Sequence, residues 1–300
     1  MLLVGIFAIA SKARAQDDGP RVYQLVPEGA QAMTVFAVAK RGNEGPEPGS
    51  LYLGSNIDTK LVIFRYVRTF DVAGRQFSPF LILPVGKTET RNEPQGQTPS
   101  GSSSGLGDIQ VGGTLGLVGS PALTAQAYGR YEPRLSIALL GRLYFPTGDY
   151  SAENRVNFGS NRLSGQIGLP IIVAAGTSYL DPALTTLEIL PTATFYGVNS
   201  DPYGARKSSK AALYSVESHL THNFGRRVWV SADVLYRHGG ETTTDGVGDG
   251  NALRGWAAGG SATLVLSSAA TLILTYEEVI ARRDRGPDGW FFRTALVLPF

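Results

Sequence analysis

The chain has no cysteine. A disulfide framework, a thiolate nucleophile and a thiolate metal site are therefore all excluded. It also lacks any apolar run approaching the roughly 20 residues that a helix needs to cross a bilayer. The longest, Leu2-Leu3-Val4-Gly5-Ile6-Phe7-Ala8-Ile9-Ala10, is too short. Charge of one sign is scarce as well. A net charge of +2 over 300 residues is far from a nucleic-acid-binding footprint. Histidine occurs three times, at 219, 222 and 238, with no metal-ligand spacing around it. No cofactor or metal and no nucleic-acid partner is expected.

Glycine and aromatic residues are plentiful, with 37 Gly, 13 Tyr and 13 Phe. A hydrophobic content of 43% and a mean hydropathy of −0.02 suit a soluble protein. They suit a membrane β-barrel equally, because only every second residue of each strand meets lipid. The C-terminal stretch favours the barrel. Trp290, Phe292, Thr294, Leu296, Leu298 and Phe300 share one face by period two, with Arg293, Ala295, Val297 and Pro299 on the other. An uncovered edge strand of this kind invites pairing with other chains, whereas a closed barrel absorbs it. The strand is similar to the terminal strand of bacterial outer-membrane barrels. That likeness marks Phe292, Leu296, Leu298 and Phe300 as an assembly signal and implies the barrel-assembly machinery as a partner.

The same alternation recurs along the chain. Strands are expected at 31–42, 60–70, 76–85, 106–118, 134–145, 162–173, 183–196, 212–224, 228–237, 252–266, 271–280 and 290–300. The fold class that follows is all-β, a single antiparallel up-and-down transmembrane barrel of about twelve strands. Short and long connections mostly alternate, which puts short turns and both termini in the periplasm. Pro121–Tyr131 is the one stretch expected to be helical, and the polar, low-complexity stretch 86–105 reads as too poor in apolar residues to order itself. At the N-terminus, Ala13-Arg14-Ala15 after the short apolar run matches a signal-peptide cleavage site. Residues 1–15 are thus expected to be a leader and 16–300 the barrel.

Charge sets the register. A cation on the lipid face at the bilayer midplane costs about 2–4 kcal/mol, and much less at the interfaces. Arg134, Arg142, Glu188, Glu217, Asp233, Glu277 and Arg293 all lie opposite the apolar face of their strands, as do His219, Tyr144, Tyr196 and Trp229. These eleven are the expected lumen-lining set, with charges of both signs pairing across strands. Tyr66, Phe145, Phe195, Tyr214, Tyr236, Trp256, Tyr276 and Phe292 would form the interfacial aromatic belts. Lipid and lipopolysaccharide are the expected surroundings, the latter near the Lys207–Lys210 and Arg282–Arg285 clusters, which otherwise read as solvated loop charges.

Several stretches carry a family resemblance. They include Arg21-Val22-Tyr23-Gln24-Leu25-Val26-Pro27-Glu28-Gly29, Pro146-Thr147-Gly148-Asp149-Tyr150 and His238-Gly239-Gly240-Glu241-Thr242-Thr243-Thr244. Together they resemble the MetA-pathway of phenol degradation family. The resemblance implies an outer-membrane barrel, a transporter in role, with a link to aromatic catabolism. It carries no functional residues over.

Enzymatic signals are weak. Ser215, Glu217 and His219 share a face, but their spacing departs from that of outer-membrane lipases. Gly105-Leu106-Gly107 has neither the third glycine nor the following helix of a dinucleotide site. Asp245–Asn251 offers oxygen ligands without EF-hand spacing. No enzyme is expected. The expected function is a passive channel for small solutes, aromatic compounds among them. The alternatives are an occluded barrel with a structural or surface role and, last, a lipid hydrolase.

Overall fold

The computed structural model describes residues 18–91 and 101–300. The expected leader and residues 92–100 of the low-complexity stretch lie outside these residues. Twelve strands close on themselves: β1 (Gln31–Gly42), β2 (Asn56–Arg68), β3 (Arg75–Arg91), β4 (Gln110–Val118), β5 (Leu135–Tyr144), β6 (Ser164–Gly168 and Ile171–Ala175), β7 (Thr185–Tyr196), β8 (Leu213–Asn223), β9 (Val228–Gly239), β10 (Leu253–Ser267), β11 (Ala270–Arg282) and β12 (Gly289–Pro299). Each pairs antiparallel with its sequence neighbours. β12 returns to β1 with Val38 opposite Arg293, so no barrel edge is left open.

The barrel is turned inside out relative to a soluble domain. Leu81, Val111, Leu139, Leu143, Ile167 and Leu220 are 46–56% exposed on the outer face. Thr59, Thr88, Thr186, Thr221 and Glu277 are fully buried on the inner one. Only a solvent more apolar than the lumen makes that arrangement favourable. Tyr214, Trp256, Tyr276, Phe195 and Phe292 are exposed on the same outer face. Leu296, Leu298 and Phe300 share that face of β12, and the Phe300 ring lies 6.3 Å from Tyr66.

Three expectations change. The helix shrinks to Ala125–Tyr128, where Thr124 Oγ1 accepts from Ala127 N at 3.2 Å. The strand expected at 162–173 is broken at Leu169-Pro170, because proline has no N–H for the ladder, although Ala138 N still donates to Pro170 O at 2.9 Å. Within the stretch expected to stay unordered, Lys87–Glu89 pairs with both Asp58–Lys60 and Ser102–Ser104. Backbone ladders and a buried Thr59–Thr88 hydroxyl contact of 3.1 Å hold this extension without apolar burial.

Candidate functional site: a chamber between the N-terminal segment and a covering loop

Residues 18–30, before β1, run up inside the barrel from the short-turn end. Gly29 N donates to Thr69 O (2.9 Å), and Glu28 N donates to Leu123 O (2.7 Å). Leu25 packs with Ala174, Tyr179 and Leu184, and the Tyr179 ring stacks on Tyr128 and Tyr131. Higher up, Arg21 N donates to Glu188 Oε2 (2.8 Å), its guanidinium donates to Thr221 Oγ1 (3.0 and 2.7 Å), and it lies 4.8 Å over the Trp229 ring. Asp18 is the upper anchor. Arg142 Nη2 donates to both its carboxylate oxygens (2.9 and 2.8 Å), Tyr23 OH donates to Oδ2 (2.6 Å), and Asp18 N donates to Glu217 Oε2 (3.0 Å). Between them Gly19 has φ +95°, and a Cβ there would meet Arg293 Nη2 at 2.2 Å. The positive φ favours glycine here, and the Arg293 side chain packs against the space that its missing Cβ leaves.

The long-loop end is covered by the connection between β1 and β2. Arg237 makes a two-pronged pair with Glu44 (2.7 and 2.9 Å), and Lys40 Nζ donates to Gly45 O (2.8 Å). Lys210 Nζ donates to Glu47 Oε2 (3.1 Å), Pro48 O (2.8 Å) and Ser50 Oγ (2.8 Å). Arg162 Nε lies 3.3 Å from Glu47 Oε1, and Ser50 Oγ donates to the same carboxylate. Burial alone would raise the Glu47 carboxyl, but Lys210 and Arg162 outweigh it and hold the group below its ordinary value of 4.5. Tyr196 OH donates to Pro48 O (2.9 Å), and Leu51 packs on Leu213 and Leu253. A second tie lies nearby. Asp108 accepts from Gly148 N and Ser160 N, both at 3.0 Å, while burial pushes its carboxyl above the ordinary carboxylate value.

Between the two closures lies a cavity of about 200 Å³. On the side of β1, β2, β3 and β12 it is lined by Phe36, Leu61, Ile63, Ile82 and Phe291 together with Lys40, Arg65 and Arg293. Its polar wall comes from β5 to β9 through Arg142, Gln166, Thr194, Ser215, Glu217 and Arg237. Gly112 on β4 leaves room for the wall to be flat, since a Cβ there would meet the Phe80 ring at 2.6 Å.

The expected lumen-lining residues are placed as follows. Arg142, Tyr144, Tyr196, Glu217 and Arg293 line the cavity. Glu188, His219 and Trp229 lie at the level of the N-terminal segment, and Asp233 and Glu277 are buried on the inner wall. Arg134 is different. It precedes β5 at the short-turn end, its side chain is 77% exposed, and it pairs with Glu132 at 2.7 Å. The strand starts one residue later than expected, so Arg134 sits at its wet end and does not line the lumen. The Lys207–Lys210 cluster also divides. The Lys210 side chain is fully buried against the covering loop, not solvated.

The inward charges meet partners that parity alone does not supply. His219 Nδ1 is 2.9 Å from Asp233 Oδ1, its Nε2 is 3.7 Å from Glu217 Oε2, and Ser261 Oγ donates to Asp233 Oδ2 (2.7 Å). Ser215 Oγ is paired with Thr192 Oγ1 at 3.0 Å. Asp18, Arg21 and Glu44 escaped the sequence reading. The available signal was a polar lead that nevertheless carries Leu25 and Tyr23 among its charges.

The sequence profile of the family described as "Putative MetA-pathway of phenol degradation" matches residues 39–287. No curated protein matches the chain. Among solved structures, an outer membrane channel from Pseudomonas putida F1 is 17% identical, over 95% of this chain and 100% of its own, with a TM-score of 0.76. The beta domain of a Bordetella autotransporter is 11% identical, over 91% and 100%, with a TM-score of 0.51. At these identities the likeness is one of fold, the closed outer-membrane barrel.

Proposed function

This chain belongs to the family described as "Putative MetA-pathway of phenol degradation" and is a bacterial outer-membrane barrel, and from that premise we propose that it is a channel for the passive passage of small solutes, single-ring aromatic compounds among them. The cavity carries the reading. Its volume of about 200 Å³ suits one ring, since an apolar cavity of roughly 150 Å³ suffices for benzene. Its lining mixes apolar side chains with hydrogen-bonding and charged ones, which fits an amphipathic ring better than a sugar chain.

Passage needs both closures to move. The covering loop and the N-terminal segment are held mainly by ion pairs and hydrogen bonds, which exchange more readily than a packed apolar core. The short turns face the periplasm in this reading, so a solute meets the loop first. Purified protein in planar bilayers should give small, stepwise conductance, and loaded liposomes should pass a single-ring solute faster than a disaccharide. A silent bilayer together with no solute flux would instead support the occluded barrel, the alternative that the two closures themselves favour.

A further inference from the structure

Five cationic side chains reach the cavity wall: Lys40, Arg65, Arg142, Arg237 and Arg293. Four are engaged by the closures. Arg142 holds Asp18, Arg237 holds Glu44, Lys40 holds the Gly45 carbonyl, and Arg293 packs at Gly19 and over the Phe36 and Phe291 rings at 5.7 and 5.3 Å. Arg65 stands apart. Its guanidinium lies 5.2 Å from the Phe80 ring centroid, and among the described residues no hydrogen-bond acceptor or ion-pair partner reaches it. A guanidinium keeps its charge at any physiological pH and presents five donors. Leaving such a group inside a barrel without an acceptor is costly unless a solute or water provides one.

The surroundings of Arg65 restrict the class of acceptor. Leu61, Ile63 and Arg65 succeed one another on the inward face of β2, and Arg65 is opposite Ile82 across the β2–β3 ladder. A planar donor fork thus ends an apolar strip. Asp18 attracts Arg65 through space without a hydrogen bond between them. The hydrogen bonds of the Asp18 carboxylate run to Arg142 and Tyr23, and Glu217 accepts from Asp18 N.

We propose that the cavity binds a single-ring carboxylate, with Arg65 holding the carboxylate and Ile63, Ile82 and Phe36 holding the ring. This names the substrate class of the channel proposed above and rests on that cavity being open to solute. A carboxylate accepts two parallel N–H bonds from the fork, which a neutral hydroxyl cannot reproduce.

The test is calorimetric titration of the detergent-folded full chain at pH 7 with benzoate, benzyl alcohol and acetate. Benzoate should bind about tenfold or more tighter than either the ring without charge or the charge without ring. Arg65→Gln should bring benzoate down to the benzyl alcohol level, and Arg65→Lys should recover part of the loss. Ile63→Thr should weaken benzoate and leave acetate unchanged. Heat-modifiable gel mobility identifies the folded variants; if Arg65→Gln does not fold, the three-solute comparison on the unaltered protein decides. Benzoate binding no tighter than benzyl alcohol, or unaffected in folded Arg65→Gln, overturns the proposal. Stepwise conductance without a benzoate preference removes this site and leaves the channel. Benzoate binding without conductance removes the channel and leaves this site.

Discussion

Asp18 and Arg142 are 124 residues apart in the chain and meet inside the barrel, one guanidinium nitrogen lying 2.9 and 2.8 Å from the two carboxylate oxygens. The contact fixes the top of the N-terminal segment against the wall of β5. Since Arg142 also donates to Tyr23 OH and Tyr144 OH, at 2.9 and 3.3 Å, the segment and the cavity share one hydrogen-bonded anchor. Movement of the segment and access to the cavity are therefore coupled.

Gly19→Ala tests that coupling. Alanine at a positive φ costs about 1–2 kcal/mol in backbone alone, and its Cβ would displace the Arg293 guanidinium. The segment should leave its seat while the barrel stays folded. Single-channel conductance is expected to rise, and amide exchange over 21–29 to quicken, with exchange in the strands unchanged.

Trp229→Ala should loosen the same segment more gently. The Arg21 guanidinium lies 4.8 Å over this ring, a contact worth about 0.5–2 kcal/mol. Faster exchange at Leu25 and Val26, with a smaller conductance rise than for Gly19→Ala, is the expected pattern. Unchanged exchange there would mean that the Thr221 and Glu188 bonds hold Arg21 on their own.

Arg237→Ala acts at the other end. It removes the guanidinium from a Glu44 carboxylate that is 1% exposed and leaves it the Gly49 N–H (2.9 Å), so the charge loses its Arg237 counterpart. Losing one partner of a buried pair costs about 3 kcal/mol or more. The covering loop should open, which limited proteolysis near Pro46–Gly49 would detect. The double variant Arg237→Ala, Glu44→Gln should recover part of the loss, because the uncompensated charge has gone.

The Glu47 carboxyl supplies the pH dependence. It is held below 4.5 with the loop closed, with burial opposing and Lys210 and Arg162 prevailing. With the loop open it returns towards its ordinary value and takes up a proton more readily. The closed form thus has its full advantage above pH 4.5 and loses it as the pH falls through the lowered value. Conductance should be flat from pH 8 to 5 and rise in more acid solution. Glu47→Gln should show the acid level of opening at neutral pH.

The strands and the inward register were legible because side-chain alternation is a property of the backbone itself. Glu217 and Asp233 could be assigned to the lumen from parity along β8 and β9, with no knowledge of any other strand. Arg134 shows the limit of that rule, since parity gives the face but not where the strand begins.

Which polar residues close the lumen was decided by the tertiary structure. Asp18 with Arg142, Glu44 with Arg237 and Glu47 with Lys210 are 124, 193 and 163 residues apart. A polar loop that folds inward has the same local composition as one left in water. The sequence determined the wall of the barrel because each strand carries its own two faces. Only closure of the barrel brought Arg142, Lys210 and Arg237 to converge on it, and so determined which of its polar segments would be drawn inside.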